Sequence, residues 1–133
     1  MKRRTVALAI LIAMAALVVI SGCSGGKKNP VIGIIQYMEH VALDSARQGF
    51  IDALKDNGYV EGQNITFDYQ NAQGDQSNHS AISDRFISNK VDMVLAIATP
   101  AAQAIAGKTT KIPILGTAIT DYVDARLALS NEK

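Results

Sequence analysis

The sequence predicts an α/β fold, a doubly wound parallel sheet, with a signal helix ahead of it. Three observations carry that expectation. Short apolar runs and amphipathic stretches alternate along the chain from Val31 onward. Turn residues separate them at Asn57-Gly58, at Thr99-Pro100 and at Gly107. The order strand, helix, strand, helix, strand, helix, strand is the one that a parallel sheet with helices on both faces requires.

The first element, "VIGIIQ" from Val31 to Gln36, is an apolar run suited to a strand covered on both faces. Leu43, Ala46, Phe50, Ala53 and Leu54 then recur at helical spacing, with Asp44, Arg47, Asp52 and Lys55 on the other side. Asn57-Gly58 stops this helix, and Gly58 suits a left-handed cap. "NITFDYQ" alternates Ile65, Phe67 and Tyr69 against Thr66 and Asp68, as a half-covered strand does. "NAQGDQSNH" reads as a polar loop, followed by a helix with Ile82, Phe86 and Ile87 on its apolar face. "VDMVLAIA", from Val91 to Ala98, is the most buried strand candidate. Thr99 is expected to cap the next helix, with Pro100 in its first turn, and Gly107 ends it. "IPILGTA", from Ile112 to Ala118, is the fourth strand, with Pro113 near its start where a missing N–H is tolerated.

Before these elements stand Lys2, Arg3 and Arg4, an unbroken apolar run from Val6 to Ile20, and then Ser21, Gly22 and Cys23. A positive head, an apolar segment and small residues describe a secretory signal. The run falls short of the roughly 18 to 20 residues that a membrane-crossing helix needs, which makes a transmembrane anchor the weaker alternative. Ile20-Ser21-Gly22-Cys23 resembles the bacterial lipobox. That resemblance implies cleavage before Cys23, a diacylglyceryl thioether on its sulfur and an acylated (palmitate-bearing) amino terminus. Multiple acyl chains hold a domain firmly at a bilayer, where one would leave it exchanging. The expected organisation is a lipoprotein signal peptide over 1–22, a lipidated tether over 23–30 containing "SGGKKN", and one α/β lobe over 31–133.

Cys23 is the single cysteine of 133 residues, which rules out an internal disulfide framework. Three of the 13 basic residues lie in the signal segment, so the remaining chain has fewer bases than its 12 acids. Such a body lacks the clustered Lys and Arg of a nucleic-acid footprint. Gly107-Lys108-Thr109 has the ending of a phosphate-binding loop, but Ala102 occupies the required glycine position and the triplet closes a helix rather than opening one. No G-x-G-x-x-G follows the first strand, so no dinucleotide cofactor is expected. His40 and His79 fall in separate loops with no i, i+4 partner, so a zinc site would need distant residues to converge and none is expected. No G-x-S-x-G elbow is present for a hydrolase. The chain is therefore read as a non-enzyme without cofactor or metal.

Ligands of parallel α/β sheets gather at the carboxyl ends of the strands. The segments there are "QYMEH", "TPAA" and "TAITD". A helix amino terminus presents unpaired N–H groups and a partial positive charge, so Thr99, Ala101 and Ala102 suit a carboxylate or phosphate, while Pro100 removes one donor. Glu39 and Asp121 are candidates for an acid pair across the strand ends. Tyr37 and Tyr122 offer flat apolar faces with polar tips.

The stretch "IGIIQYMEHVALDSARQGFIDALKDNGYVEGQNITFDYQNAQGDQSN", continued by "VDMVLAIATPAAQAIAGKTTKIPILGTAITD", resembles a bacterial family of ABC-transporter substrate-binding lipoproteins whose better-described members are linked to tryptophan and tyrosine uptake. "GYVEGQN", "NAQGDQSN" and "ATPAAQA" are its most specific parts. The resemblance implies the N-terminal lobe of a type I periplasmic-binding fold, which closes on a small solute and delivers it to membrane permease subunits. It places Gln36, Tyr37, Glu39 and His40, the helix start at Thr99, Pro100, Ala101 and Ala102, and Thr117, Ala118 and Asp121 along the ligand cleft. An amino acid's carboxylate is expected at Thr99, Ala101 and Ala102, its ammonium at Glu39 or Asp121, and an aromatic side chain on Tyr37. Val41 and Tyr122 stand where relatives usually carry proline. Family members are more than twice as long, which implies a fragment without the second lobe. The alternatives are a membrane-tethered sensor or interaction lobe and, last, a hydrolase or isomerase fragment.

Overall fold

Val31–Gln36 forms strand β1 of a computed structural model in which residues 28–127 are described. Helix α1 spans Val41–Asp56, β2 Thr66–Asn71, α2 Gln76–Asn89, β3 Met93–Ile97, α3 Thr99–Ala106 and β4 Ile114–Thr117. All strand pairs are parallel, in the order β2-β1-β3-β4. The signal segment and Cys23 lie outside the described residues.

Alternation along the central strands divides the core into two layers. Ile32 and Ile34 of β1 and Leu95 and Ile97 of β3 face α1, where Leu43, Ala46, Phe50, Ile51 and Leu54 pack on them. Ile35, Val94 and Ala96 face the opposite way, against Ile82 and Phe86 of α2 and Ala101, Ala102 and Ile105 of α3. The doubly wound arrangement follows from these two periodicities. Gly33 is required in β1 because a Cβ there would stand 2.8 Å from the ring of Phe86.

Several boundaries differ from the sequence expectation, each for a local reason. In α1, Ile51 packs on the sheet while Ala53 is exposed. The two flank the apolar stripe on opposite sides, and the larger side chain reaches the sheet. Helix α2 begins inside the stretch read as a loop, because Asp75 caps it: its Oδ1 accepts from Ser77 N at 2.7 Å and Asn78 N at 3.0 Å. Those two amides hold the Asp75 carboxyl below the usual carboxylate range. His79 is thus helical and buried, not a loop residue. Strands β2, β3 and β4 are shorter at their starts than the apolar runs suggest; before β4, Pro113 contributes only its carbonyl, which accepts from Val94 N. Gly58 takes the expected left-handed conformation after α1, with φ 86°.

Lys108 lies just beyond α3, and its Nζ contacts Asp84 at 2.7 Å and Ser80 Oγ at 2.7 Å, tying α3 to α2. At the start of α1, His40 is extended and its Nδ1 accepts from Ala42 N at 3.2 Å. Val41, the first helical residue, is 81% exposed. A proline there suits the first-turn φ and needs no N–H, while the extended His40 suits the residue before it. Val41→Pro is expected to stabilise the fold by about 0.4–1 kcal/mol through the unfolded chain, read as a rise in the urea midpoint.

Candidate functional site

The carboxyl ends of the strands form one continuous ledge because backbone bonds run sideways from loop to loop. Ala72 N–H donates to Gln36 O at 2.9 Å and Gly74 N–H to Tyr37 O at 2.8 Å, joining the β2 end to the β1 end. Tyr37 N–H donates to Ile97 O at 3.2 Å, and Ala98 N–H to Thr117 O at 2.9 Å, which carries the row across to β4. Three of the four loops hold a non-glycine residue at positive φ: Gln73 (54°), Ala98 (81°) and Ala118 (55°).

Ala98 is the most unusual of these, with φ 81° and ψ 155°. That region is sparsely populated by residues bearing a Cβ and is found where a site demands it. The chain turns from β3 into α3 at this single residue. Ala98→Gly is expected to relieve strain of about 1–3 kcal/mol, less a glycine entropy cost of roughly 0.5–1 kcal/mol. Thermal melting is expected to rise; a fall would show that the Ala98 backbone is not strained.

Around this turn the helix start departs from the sequence expectation. Ala98, not Thr99, is the N-cap, and it supplies no side-chain bond. Thr99 is the first helical residue, half-buried with Pro100 beside it. Ala101 and Ala102 are buried, so they offer only backbone to a ligand. Ala102 N–H is taken by Ala98 O at 3.2 Å. The donors left at this tip by helix geometry are the amides of Thr99 and Ala101, together with the Thr99 hydroxyl.

Along the β1 end, Gln36 is fully buried and turned toward α1, its Nε2 donating to Met38 O and Asp44 Oδ1, both at 2.8 Å. Tyr37 is half-buried and stacked on His79. Glu39 and His40 are exposed, and His40 serves as the cap of α1.

Beyond β4, Asp121 Oδ1 accepts from Val123 N at 2.8 Å and Asp124 N at 2.9 Å, fixing a turn. Tyr122 folds over β4, its hydroxyl donating to Gly116 O at 2.7 Å, while the residue stays exposed. Beneath it lies a cavity of about 160 Å³ bordered by Ala102, Ile114 and Ile119. A shallow hollow of about 270 Å³ brings Thr99 and Gln103 together with Thr120, Asp121 and Asp124. The structure thus joins Thr99 to Asp121. Glu39 follows β1, which β3 separates from β4, so Asp121 shares its hollow with Asp124 and not with Glu39.

Sequence reasoning missed two members of the ledge. Ala98 gave no sign beyond the immediate passage from strand to helix in "AIATPAA". His79 was hidden by its polar neighbours, although it stands three and four residues before Ile82 and Ser83 on the buried side. Among the described residues no group of three or more His, Cys, Asp or Glu is placed to hold a metal ion, and no helix is long and apolar enough to cross a membrane.

Comparison with known proteins agrees with this architecture. Residues 31–133 match the family described as ABC transporter substrate binding protein. A tyrosine-binding protein of Clostridioides difficile (strain R20291) is 50% identical over 107 residues, covering 80% of this chain and 31% of that protein. A ligand-free, open structure of a Clostridium difficile substrate-binding protein with adhesive properties is 48% identical, with a TM-score of 0.76 over 78% of this chain and 35% of that one. A domain from Streptococcus pneumoniae in complex with L-Trp is 38% identical, with a TM-score of 0.75 over 80% of this chain and 36% of that one. The chain therefore spans about a third of the length of these relatives. Proteins of this kind act outside the cytoplasm and bind substrates rather than, in general, transforming them. With a parallel α/β sheet shared with periplasmic-binding-protein domains and a match over residues 31–133, the chain belongs to the ABC transporter substrate-binding protein family.

Proposed function

We propose that this chain supplies the N-terminal lobe of a lipid-anchored binding protein that captures an aromatic amino acid, tyrosine or tryptophan, and presents it to ABC permease subunits. The observation that carries the reading is the strand-end ledge, on a fold shared with a tyrosine-binding relative and an L-Trp complex. The ligand carboxylate is assigned to the α3 tip, at the Thr99 hydroxyl and the amides of Thr99 and Ala101, where the helix dipole favours an anion. The ammonium is assigned to the Asp121 side of the same hollow, and the aromatic side chain to Tyr37. Gln36, Glu39, His40, Pro100, Ala102, Thr117 and Ala118 shape or border the cleft. The ledge is one wall, and a second lobe closes on it by hinge motion in two-lobed binding proteins.

Titration calorimetry of the complete protein is expected to give saturable binding of L-tyrosine or L-tryptophan with a dissociation constant of about 1 μM or tighter. No heat with any amino acid would contradict the reading. The anchor rests on Cys23 in the lipobox-like sequence. Mass spectrometry of membrane fractions is expected to show a chain starting at acylated Cys23, and Cys23→Ser is expected to abolish the acylation. An unmodified Met1 start in cytosolic material would overturn it.

A further inference from the structure

His79 stands in the first turns of α2, in register with Ile82, Ser83 and Phe86 on the buried side. It is 1% exposed, and neither Nδ1 nor Nε2 has a hydrogen-bond partner among the described residues. A buried imidazole held this way costs stability that a leucine or phenylalanine of comparable size does not. Packing alone therefore gives no reason for histidine at this position. Its specific contact is with Tyr37: the ring centroids are 5.5 Å apart and the planes 14° from parallel, an offset stack.

Tyr37 is already fixed through its backbone, which bonds to Ile97 O on one side and Gly74 N on the other. Only its ring torsions remain free. His79 occupies one face of that ring. Gly74 borders its hydroxyl end, where an added Cβ would stand 3.7 Å from Tyr37 Oη and 3.7 Å from Met38 Cε. The part of the half-buried ring that is reachable from the ledge is therefore the part turned away from His79.

We propose that His79 is a positioning residue: stacked beneath Tyr37, it holds the ring as a flat platform and so sets a preference for ligands with an aromatic side chain over aliphatic ones. The inference rests on the amino-acid reading above. A ring ordered in advance loses little freedom when a flat ligand lands on it, whereas an unsupported ring must be ordered by the ligand. The contacts assigned to the α3 tip and to Asp121 do not involve this stack, so an aliphatic amino acid gains nothing from it.

The test uses His79→Ala, His79→Leu and His79→Phe in the full chain, with calorimetry against L-tryptophan, L-tyrosine and L-leucine and NMR of 13C-labelled tyrosine rings. Removing the stack with alanine or leucine is expected to weaken the two aromatic ligands by about 3- to 10-fold, to leave L-leucine within a factor of about two, and to turn the Tyr37 ring signals into those of a mobile ring. Leucine keeps the volume filled should the alanine variant fail to fold. Phenylalanine, which keeps a flat face, is expected to restore both readouts. Equal losses for all three ligands, or an unchanged Tyr37 ring in the leucine variant, would overturn the proposal. Wild-type protein that binds none of the three overturns the amino-acid reading and the preference with it, while the ring spectra still decide whether His79 orders Tyr37.

Discussion

Replacing Phe86 by alanine is expected to lower the unfolding free energy by about 3–5 kcal/mol. Phe86 is fully buried, and its ring lies against the backbone of Gly33 in β1, with Ile35, Val94 and Ile82 in the same cluster. The contact joins α2 to the strand that carries Gln36 and Tyr37. Truncation leaves a cavity between helix and sheet that an already paired parallel strand cannot collapse to fill. A small domain has roughly 5–15 kcal/mol in total, so the variant retains little. Urea denaturation reads the effect as a lower midpoint at unchanged slope. A loss under about 1 kcal/mol would mean that Phe86 does not fill this layer. Gly33→Ala sharpens the test. Alone it forces a methyl into the ring and costs about 1–3 kcal/mol; in the Phe86→Ala background that collision is gone, so the two substitutions are expected to be strongly non-additive.

The second large effect is on binding. Thr99→Ala in the complete protein is expected to weaken amino-acid affinity by about 1–3 kcal/mol, the cost of losing a hydrogen bond to a charged group. Helix α3 starts without a side-chain cap, and Thr99 lies one position inside it, so its hydroxyl is not needed to hold the helix end. Stability is expected to change far less than affinity. Calorimetry together with a melting curve separates the two. An affinity unchanged within error would remove Thr99 from the carboxylate site, and a matching loss of stability would make it a structural residue.

Much of this fold is legible in the sequence because burial on both faces leaves a plain signature. The run Val31–Gln36 is strand β1 with no shift at either end, and from Val31 onward the helices and strands of the lobe follow the expected order. Legibility fails where a residue's role is set by its neighbours in space. Ile51 and Ala53 are equally placed beside the apolar stripe of α1, and side-chain size decides between them. Asp75 reads as one more polar loop residue until Ser77 and Asn78 are seen donating to it. The cap expected at Thr99 falls to Ala98, because the chain leaves β3 and enters α3 without a spare residue, at the cost of a positive φ. Nothing in an alanine reports that.

The candidate site divides in the same way. That its residues cluster at one edge follows from topology, since parallel strands end together. What each side chain does there depends on contacts the sequence conceals. Gln36 turns inward to Asp44, His40 caps α1, Asp121 fixes a turn, and Tyr122 covers Gly116. The bonds that stitch loop to loop, and the His79 ring under Tyr37, are long-range facts.

Backbone-amide NMR of the complete protein titrated with L-tyrosine or L-tryptophan tests the central claim most directly. The account predicts shifts concentrated at Tyr37, Ala98, Thr99, Ala101 and Ala118, along the carboxyl ends of β1, β3 and β4. Shifts concentrated instead at the opposite edge, near Val31, Val91 and Ile112, or an absence of shifts with either ligand, would contradict it.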